Sequence, residues 1–206
     1  MKLSLRRFQG TESDLKESVE AYKFIKNNYG RAKINLPLFR FVYRSFYRMS
    51  RNVPAGSDLD ESYFKLLFDP KIQKLAKEDS KKALEQVLTK LYNIDKTWHF
   101  SFATKMLHTM NPHLPIYDSI IAKRLKLPHC QWIRKGKNSK EAYQKELNNR
   151  IKIYSELKNQ IDIGVKVKEN SNIIIKWKQK YDAEKISNEK ALDFILWNEG
   201  KKKFAP

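Results

Sequence analysis

The chain has 206 residues, with 42 Lys and Arg against 23 Asp and Glu and a formal charge of +19. Hydrophobic residues at 41% and aromatic residues at 12% exclude a disordered chain, which lacks the apolar surface to offset its entropy. One cysteine, Cys130, excludes a disulfide framework and a cysteine-rich zinc or iron–sulfur site, and no apolar run approaches the roughly 18 residues of a membrane span.

Six glycines and few alternating runs leave little room for strands, while apolar spacings of three and four recur throughout. The expected fold class is therefore all-α. The first helix is expected from Ser13 to Asn28, capped by Thr11 or Ser13 and stopped by Gly30. A basic helix follows over Pro37–Arg51, broken by the Asn52–Ser57 stretch with its Pro54 and Gly56. Short helices are expected at Asp60–Phe68 and Pro70–Glu78, then an amphipathic one at Lys81–Tyr92 capped by Ser80. Trp98–Met110 reads as a helix ended by Asn111-Pro112, and Pro115 leads into another over Asp118–Leu125. After a loop from Pro128 to Asn138, Ser139 caps a long charged helix to Asn159. Helices over Ser171–Asp182 and Ser187–Asn198 follow, the last stopped by Gly200. No linker divides the chain, so it reads as a single domain, or as two helical subdomains flanking a cleft near 98–125.

The charge predicts a polyanionic partner, because neutralised phosphates release condensed counterions. Arg40, Arg44, Arg48 and Arg51 recur at intervals of four, four and three, which places them on one helical stripe. Phe39, Val42, Phe46 and Met49 take the other side. Such a helix can grip phosphates with guanidinium groups; alternatively, its arginines pair with Asp58, Asp60 and Glu61. The expected partner is nucleic acid, duplex DNA in particular, and not a membrane. Absence of a signal-peptide pattern after Met1 points to the cytoplasm, or the nucleoid of a bacterium. His99, His108, His113 and His129 show no ligand spacing, so neither a metal nor a cofactor is expected.

The segment from Trp98 to Leu125 combines a helix, a short loop and Pro115-Ile116-Tyr117-Asp118 opening a second helix. It resembles the core of the helix-hairpin-helix DNA glycosylases, including bacterial proteins with an 8-oxoguanine-glycosylase-type fold. The resemblance covers about 30 residues and implies a catalytic Asp at Asp118. Thr104-Lys105 is similar to the family's Thr-Lys pair, although Lys105 stands only 13 residues before Asp118. By spacing alone Ser101 falls nearest the nucleophile position, one helical turn before Lys105, so both registers stay open. The resemblance further implies that Lys123 and Arg124 lie near the DNA. The family's hairpin glycines have no counterpart in Trp98–Phe102.

Cleavage of an N-glycosidic bond builds positive charge on the sugar, which a carboxylate such as Asp118 would stabilise. A neutral Lys105 amine could attack C1′ and form a Schiff base. Trp98, His99, Phe102 and Tyr117 are the candidate walls for a flipped base. Each has a structural alternative: Asp118 as a helix cap, Lys105 as a surface lysine, the aromatic residues and Trp197 as core, His99 and His108 as hydrogen-bonded histidines. The expectation is a DNA glycosylase-like protein. Its alternatives are a non-catalytic nucleic-acid-binding protein on that scaffold, and an inhibitor docking an acidic partner.

Overall fold

The computed structural model describes residues 12–31, 36–49, 52–128, 130 and 140–203. Among these residues there are ten α-helices and no strand, so the fold is all-α. The helices are α1 (Glu12–Asn28), α2 (Leu36–Phe46), α3 (Asp58–Leu67), α4 (Pro70–Glu78) and α5 (Ser80–Asp95). They continue as α6 (Phe100–Met110), α7 (Ser119–Arg124), α8 (Lys140–Lys166), α9 (Lys168–Lys180) and α10 (Asn188–Lys203). No helix among them is long and apolar enough to cross a membrane.

Local chemistry accounts for most of the boundaries. Ser57 caps α3 by accepting from Asp60 N–H, and Asp58, Asp60 and Glu61 in the first turn suit the helix dipole. Asp69 caps α4 ahead of Pro70, where a missing N–H costs nothing. Asp79, rather than Ser80, caps α5 by accepting from Lys82 N–H. Lys96 then ends α5 in the left-handed conformation at φ 59°.

Four expected boundaries are corrected. The basic helix stops at Phe46 instead of Arg51. Arg48 adopts φ 52° and Met49 N–H returns to the Arg44 carbonyl at 2.9 Å, a Schellman closure that also buries Met49. The long helix α8 continues past Asn159 to Lys166, because Ile161 and Gly164 keep a buried face on it. Ser171 does not start α9. Its hydroxyl donates to the Val165 carbonyl at 2.9 Å, while Asn170 Nδ2 donates to the Gly164 carbonyl at 2.9 Å. Both side chains therefore finish α8 from within the next helix. Gly200 does not stop α10 either; a Cβ there would lie 2.1 Å from Ile120 Cγ2, so the glycine lets α10 cross closely over α7.

Eight of the eleven residues of α6 are buried, so neighbours must cover it on nearly every side. Helices α3, α4 and α5 pack against it. Ala83, Leu84, Val87, Leu88 and Leu91 of α5 join this core at helical spacing, each worth up to about 1.5–3 kcal/mol for the larger side chains. Helix α10 lies against α7, α8 and α9, and α1 against α2. A buried chain of hydrogen bonds joins these parts. His108 Nδ1 lies 2.6 Å from the Leu114 carbonyl, which can only accept, so Nε2 receives the Tyr22 hydroxyl at 2.9 Å. The loop after α6 is thereby held to α1.

Candidate active-site cavity

The loop leading into α6 and the loop following it run along one side of a cavity of about 1160 Å³. Its wall includes Trp98, His99, Ser101, Phe102, Lys105, Tyr117 and Asp118, which are the seven catalytic and base-binding candidates of the sequence. The end of α2 adds Phe46, Tyr47 and Arg48; α10 adds Lys190, Asp193, Phe194 and Trp197; α8 adds Arg150.

One hydroxyl brings the two halves of the candidate constellation together. Thr104 is fully buried on α6, donates to the Ser101 carbonyl at 2.9 Å and accepts from Tyr117 N–H at 3.0 Å. That bond lays the 115–118 segment alongside the helix that carries Lys105. Asp118 then turns the chain into α7, its Oδ1 accepting from Ile120 N–H at 2.8 Å. This cap is the structural alternative for Asp118, and it occupies one carboxylate oxygen.

Lys105 is half-buried, one turn beyond Ser101. Its Nζ donates to the Tyr47 carbonyl at 3.0 Å and sits 4.8 Å from the centre of the Phe102 ring and 5.8 Å from that of Tyr47. Burial pushes its pKa down to about 8; Asp118 and Asp193 pull it back up, and Lys190 and Arg48 press it further down. About a tenth of the amine is therefore neutral at pH 7, far more than in an ordinary surface lysine. Lys105 is not the solvent-facing lysine of its structural alternative.

The aromatic candidates divide. The Phe102 ring lies under the Lys105 ammonium and against the His99 ring, 6.1 Å away at 27°. Trp98 is packed by Tyr92 at 4.5 Å and Tyr143 at 5.1 Å, with the Arg150 guanidinium 4.7 Å over it. Tyr117 packs on Phe100 at 4.5 Å, and its hydroxyl accepts from Cys130 N–H at 3.4 Å. Trp98 and Tyr117 thus build the wall rather than stand free for a base to stack on.

The arginine stripe is reassigned. Arg40 grips Glu61 with two bonds of 2.6 and 3.0 Å, and Arg44 Nη1 donates to Asp60 Oδ2 at 2.8 Å. Both guanidinium groups lie over the Phe64 ring, at 4.8 and 5.8 Å. These two residues fasten α2 to α3, the pairing with acids that the sequence left open. Arg48, exposed and beyond the helix end, instead borders the cavity, 5.7 Å from the Trp197 ring centre. Arg51 lies outside the described residues. On α7, Lys123 is exposed and Arg124 Nη2 approaches Glu199 Oε2 of α10 at 3.4 Å.

Sequence reading missed the contribution of α10. Lys190, 3% exposed, donates to Asp193 Oδ2 at 2.6 Å and lies 4.4 Å from the Phe194 ring centre and 5.1 Å from that of Tyr22. Burial raises the Asp193 carboxyl above the usual range, with Lys190 working against the shift. The signal available was an i,i+3 Lys–Asp pair at the start of an apolar run that otherwise reads as core. Among the described residues no group of His, Cys, Asp and Glu is arranged to hold a metal ion. No family model, curated protein or solved structure matches this chain.

Proposed function

We propose that this protein is DNA glycosylase-like: it binds duplex DNA, takes one nucleotide out of the stack into the cavity, and cleaves its N-glycosidic bond. The observation that carries the reading is the Lys105 amine, drawn to a pKa of about 8 in the same aromatic-lined wall as Asp118. A neutral amine of that kind is a competent nucleophile toward C1′. Asp118, with one oxygen held by the cap, keeps the other for the positive charge that develops on the sugar. Support also comes from the Trp98–Leu125 segment, which is similar to the catalytic core of the helix-hairpin-helix glycosylases, and from the charge of +19. Arg48 borders the cavity where a phosphate flanking a flipped nucleotide would pass.

The test is incubation with duplexes carrying a panel of modified bases, with mass spectrometry for released bases and borohydride to trap a Schiff base. A covalent adduct that disappears in Lys105→Met is the expected result. Base release without an adduct would move the nucleophile from Lys105 to a water ordered by Asp118.

A second reading, nucleic-acid binding without chemistry, has its own support. Lys105 already donates to the Tyr47 carbonyl, and Asp118 already caps α7. Salt-sensitive duplex binding without release of any base would select it.

A further inference from the structure

The connection between α5 and α6 holds a group that the reading above leaves unused. Asp95 is the last residue of α5, and its Oδ1 accepts from Thr97 N–H at 2.9 Å. Its Oδ2 lies 2.8 Å from His99 Nε2. Two donors thus hold the carboxylate, and the carboxylate in turn holds the imidazole. His99 is 7% exposed, its ring lies against that of Phe102, and both Asp95 and His99 line the cavity beside Ser101, Lys105 and Asp118. A carboxylate only accepts, so Nε2 carries the hydrogen of that bond and Nδ1 is the nitrogen left for exchange with a ligand. His99 is also the residue before α6 and makes no side-chain cap bond to that helix. Capping therefore does not account for its place there.

We infer that Asp95 and His99 form the proton-transfer dyad of the cavity, with His99 Nδ1 protonating the base that departs from an N-glycoside and Asp95 positioning the ring. This rests on the reading given under Proposed function and adds the identity of the acid. In the step, the C1′–N bond breaks and its electron pair goes to the base nitrogen, which takes the proton from His99 Nδ1. The lone pair of neutral Lys105 Nζ forms the new C1′–N bond. The resulting ammonium then gives one proton to the now neutral His99, which restores the dyad. The products are the neutral base and a sugar joined to Lys105, with no further reactant consumed.

Leaving-group chemistry tests the inference. Two duplexes are compared in single-turnover base release, one with an N7-methylated guanine and one with an oxidised, uncharged guanine. The methylated base is already cationic and departs without a proton. His99→Gln is expected to slow release of the uncharged base by about 100-fold or more, while release of the cationic base stays within a few-fold of wild type. Asp95→Asn is expected to show the same selectivity in weaker form, with unchanged duplex affinity, and carries the test if His99→Gln does not fold. Equal losses on both bases, or none on the uncharged one, would overturn the dyad while leaving the glycosylase reading intact. Failure of the wild-type protein to release these two bases or any other of the modified-base panel would overturn the reading and the dyad together.

Discussion

The Thr104 hydroxyl accepts the Tyr117 N–H at 3.0 Å, and through that bond the residue before Lys105 holds the residue before Asp118. Both groups are buried, so the bond excludes water and cannot be replaced by solvent. Thr104→Val keeps the shape but leaves the amide without an acceptor, which costs about 1–3 kcal/mol. Chemical denaturation is expected to report that loss. Base release or borohydride trapping should fall further than the stability change explains, because Asp118 is no longer held beside α6. A variant with full stability and full trapping would show that Thr104 does not set the site.

The amine of Lys105 has a pKa of about 8 and is lowered first of all by burial. Its neutral form accumulates as pH rises through that value, so the rate of borohydride trapping is expected to climb from pH 6 and level off above about 9. Lys190 presses the Lys105 pKa down, whereas Asp193 raises it. Lys190→Met removes the first influence and leaves Asp193 without its partner, so the inflection should move to higher pH. An inflection that stays in place or falls would contradict this assignment.

Legibility in the sequence followed distance along the chain. Seven of the cavity residues from Trp98 to Asp118 could be found because Asn111, Pro112 and Pro115 punctuate one short segment, and Asp118 announces a helix start. Lys190 and Asp193 reach the same cavity from more than 70 residues away, on a helix whose neighbours Ala191, Leu192 and Phe194 look like core and are core. Ser171 failed as a start signal because a hydroxyl serves a preceding carbonyl as readily as a following amide. The arginine stripe was visible and Asp60 and Glu61 were among its possible partners, but the choice between acids and phosphates was not: pairing with Asp60 and Glu61 depends on how α2 and α3 cross, which periodicity does not encode.

Asp60 is fully buried and holds both Arg44 Nη1 and Gly56 N–H on Oδ2. Removing Arg44 strands that charge, so Arg44→Met is expected to cost about 3–5 kcal/mol in thermal or chemical unfolding. Duplex affinity of the folded fraction should keep its salt dependence, because Arg44 is engaged within the protein. Arg48→Ala should do the reverse, with little change in stability and a shallower dependence of binding on salt. If Arg44→Met flattens the salt dependence while Arg48→Ala does not, the phosphate contact lies on α2 after all.

Gly200 sits where a Cβ would meet Ile120 Cγ2 at 2.1 Å, within the close crossing of α10 over α7. Gly200→Ala gains about 1 kcal/mol of intrinsic helix preference. The contact is far inside van der Waals distance, however, and relief requires α7 to shift or Ile120 to change rotamer. The expected net effect is destabilisation of roughly 1–3 kcal/mol, and Ile120→Ala in the same chain should recover part of it. That rescue distinguishes a steric clash from a general loss of helix quality, since the double variant would otherwise be worse than either single one.

His108 is fully buried between Tyr22 and the Leu114 carbonyl, and burial depresses its pKa to about 3, with Lys190 adding to the shift. An unfolded chain protonates this ring near pH 6.5, while the native chain resists until about pH 3. Between those values the unfolded state binds more protons, so stability is complete above pH 6.5 and declines as pH falls toward 3. The full decline attributable to this one group is on the order of 4–5 kcal/mol. His108→Gln preserves a donor toward Leu114 without a titratable ring. It is expected to be less stable than wild type at pH 7, yet to lose less stability between pH 6.5 and 4. Denaturant titrations at several pH values would measure both slopes, and parallel slopes for the two proteins would mean that His108 is protonated as readily in the fold as out of it.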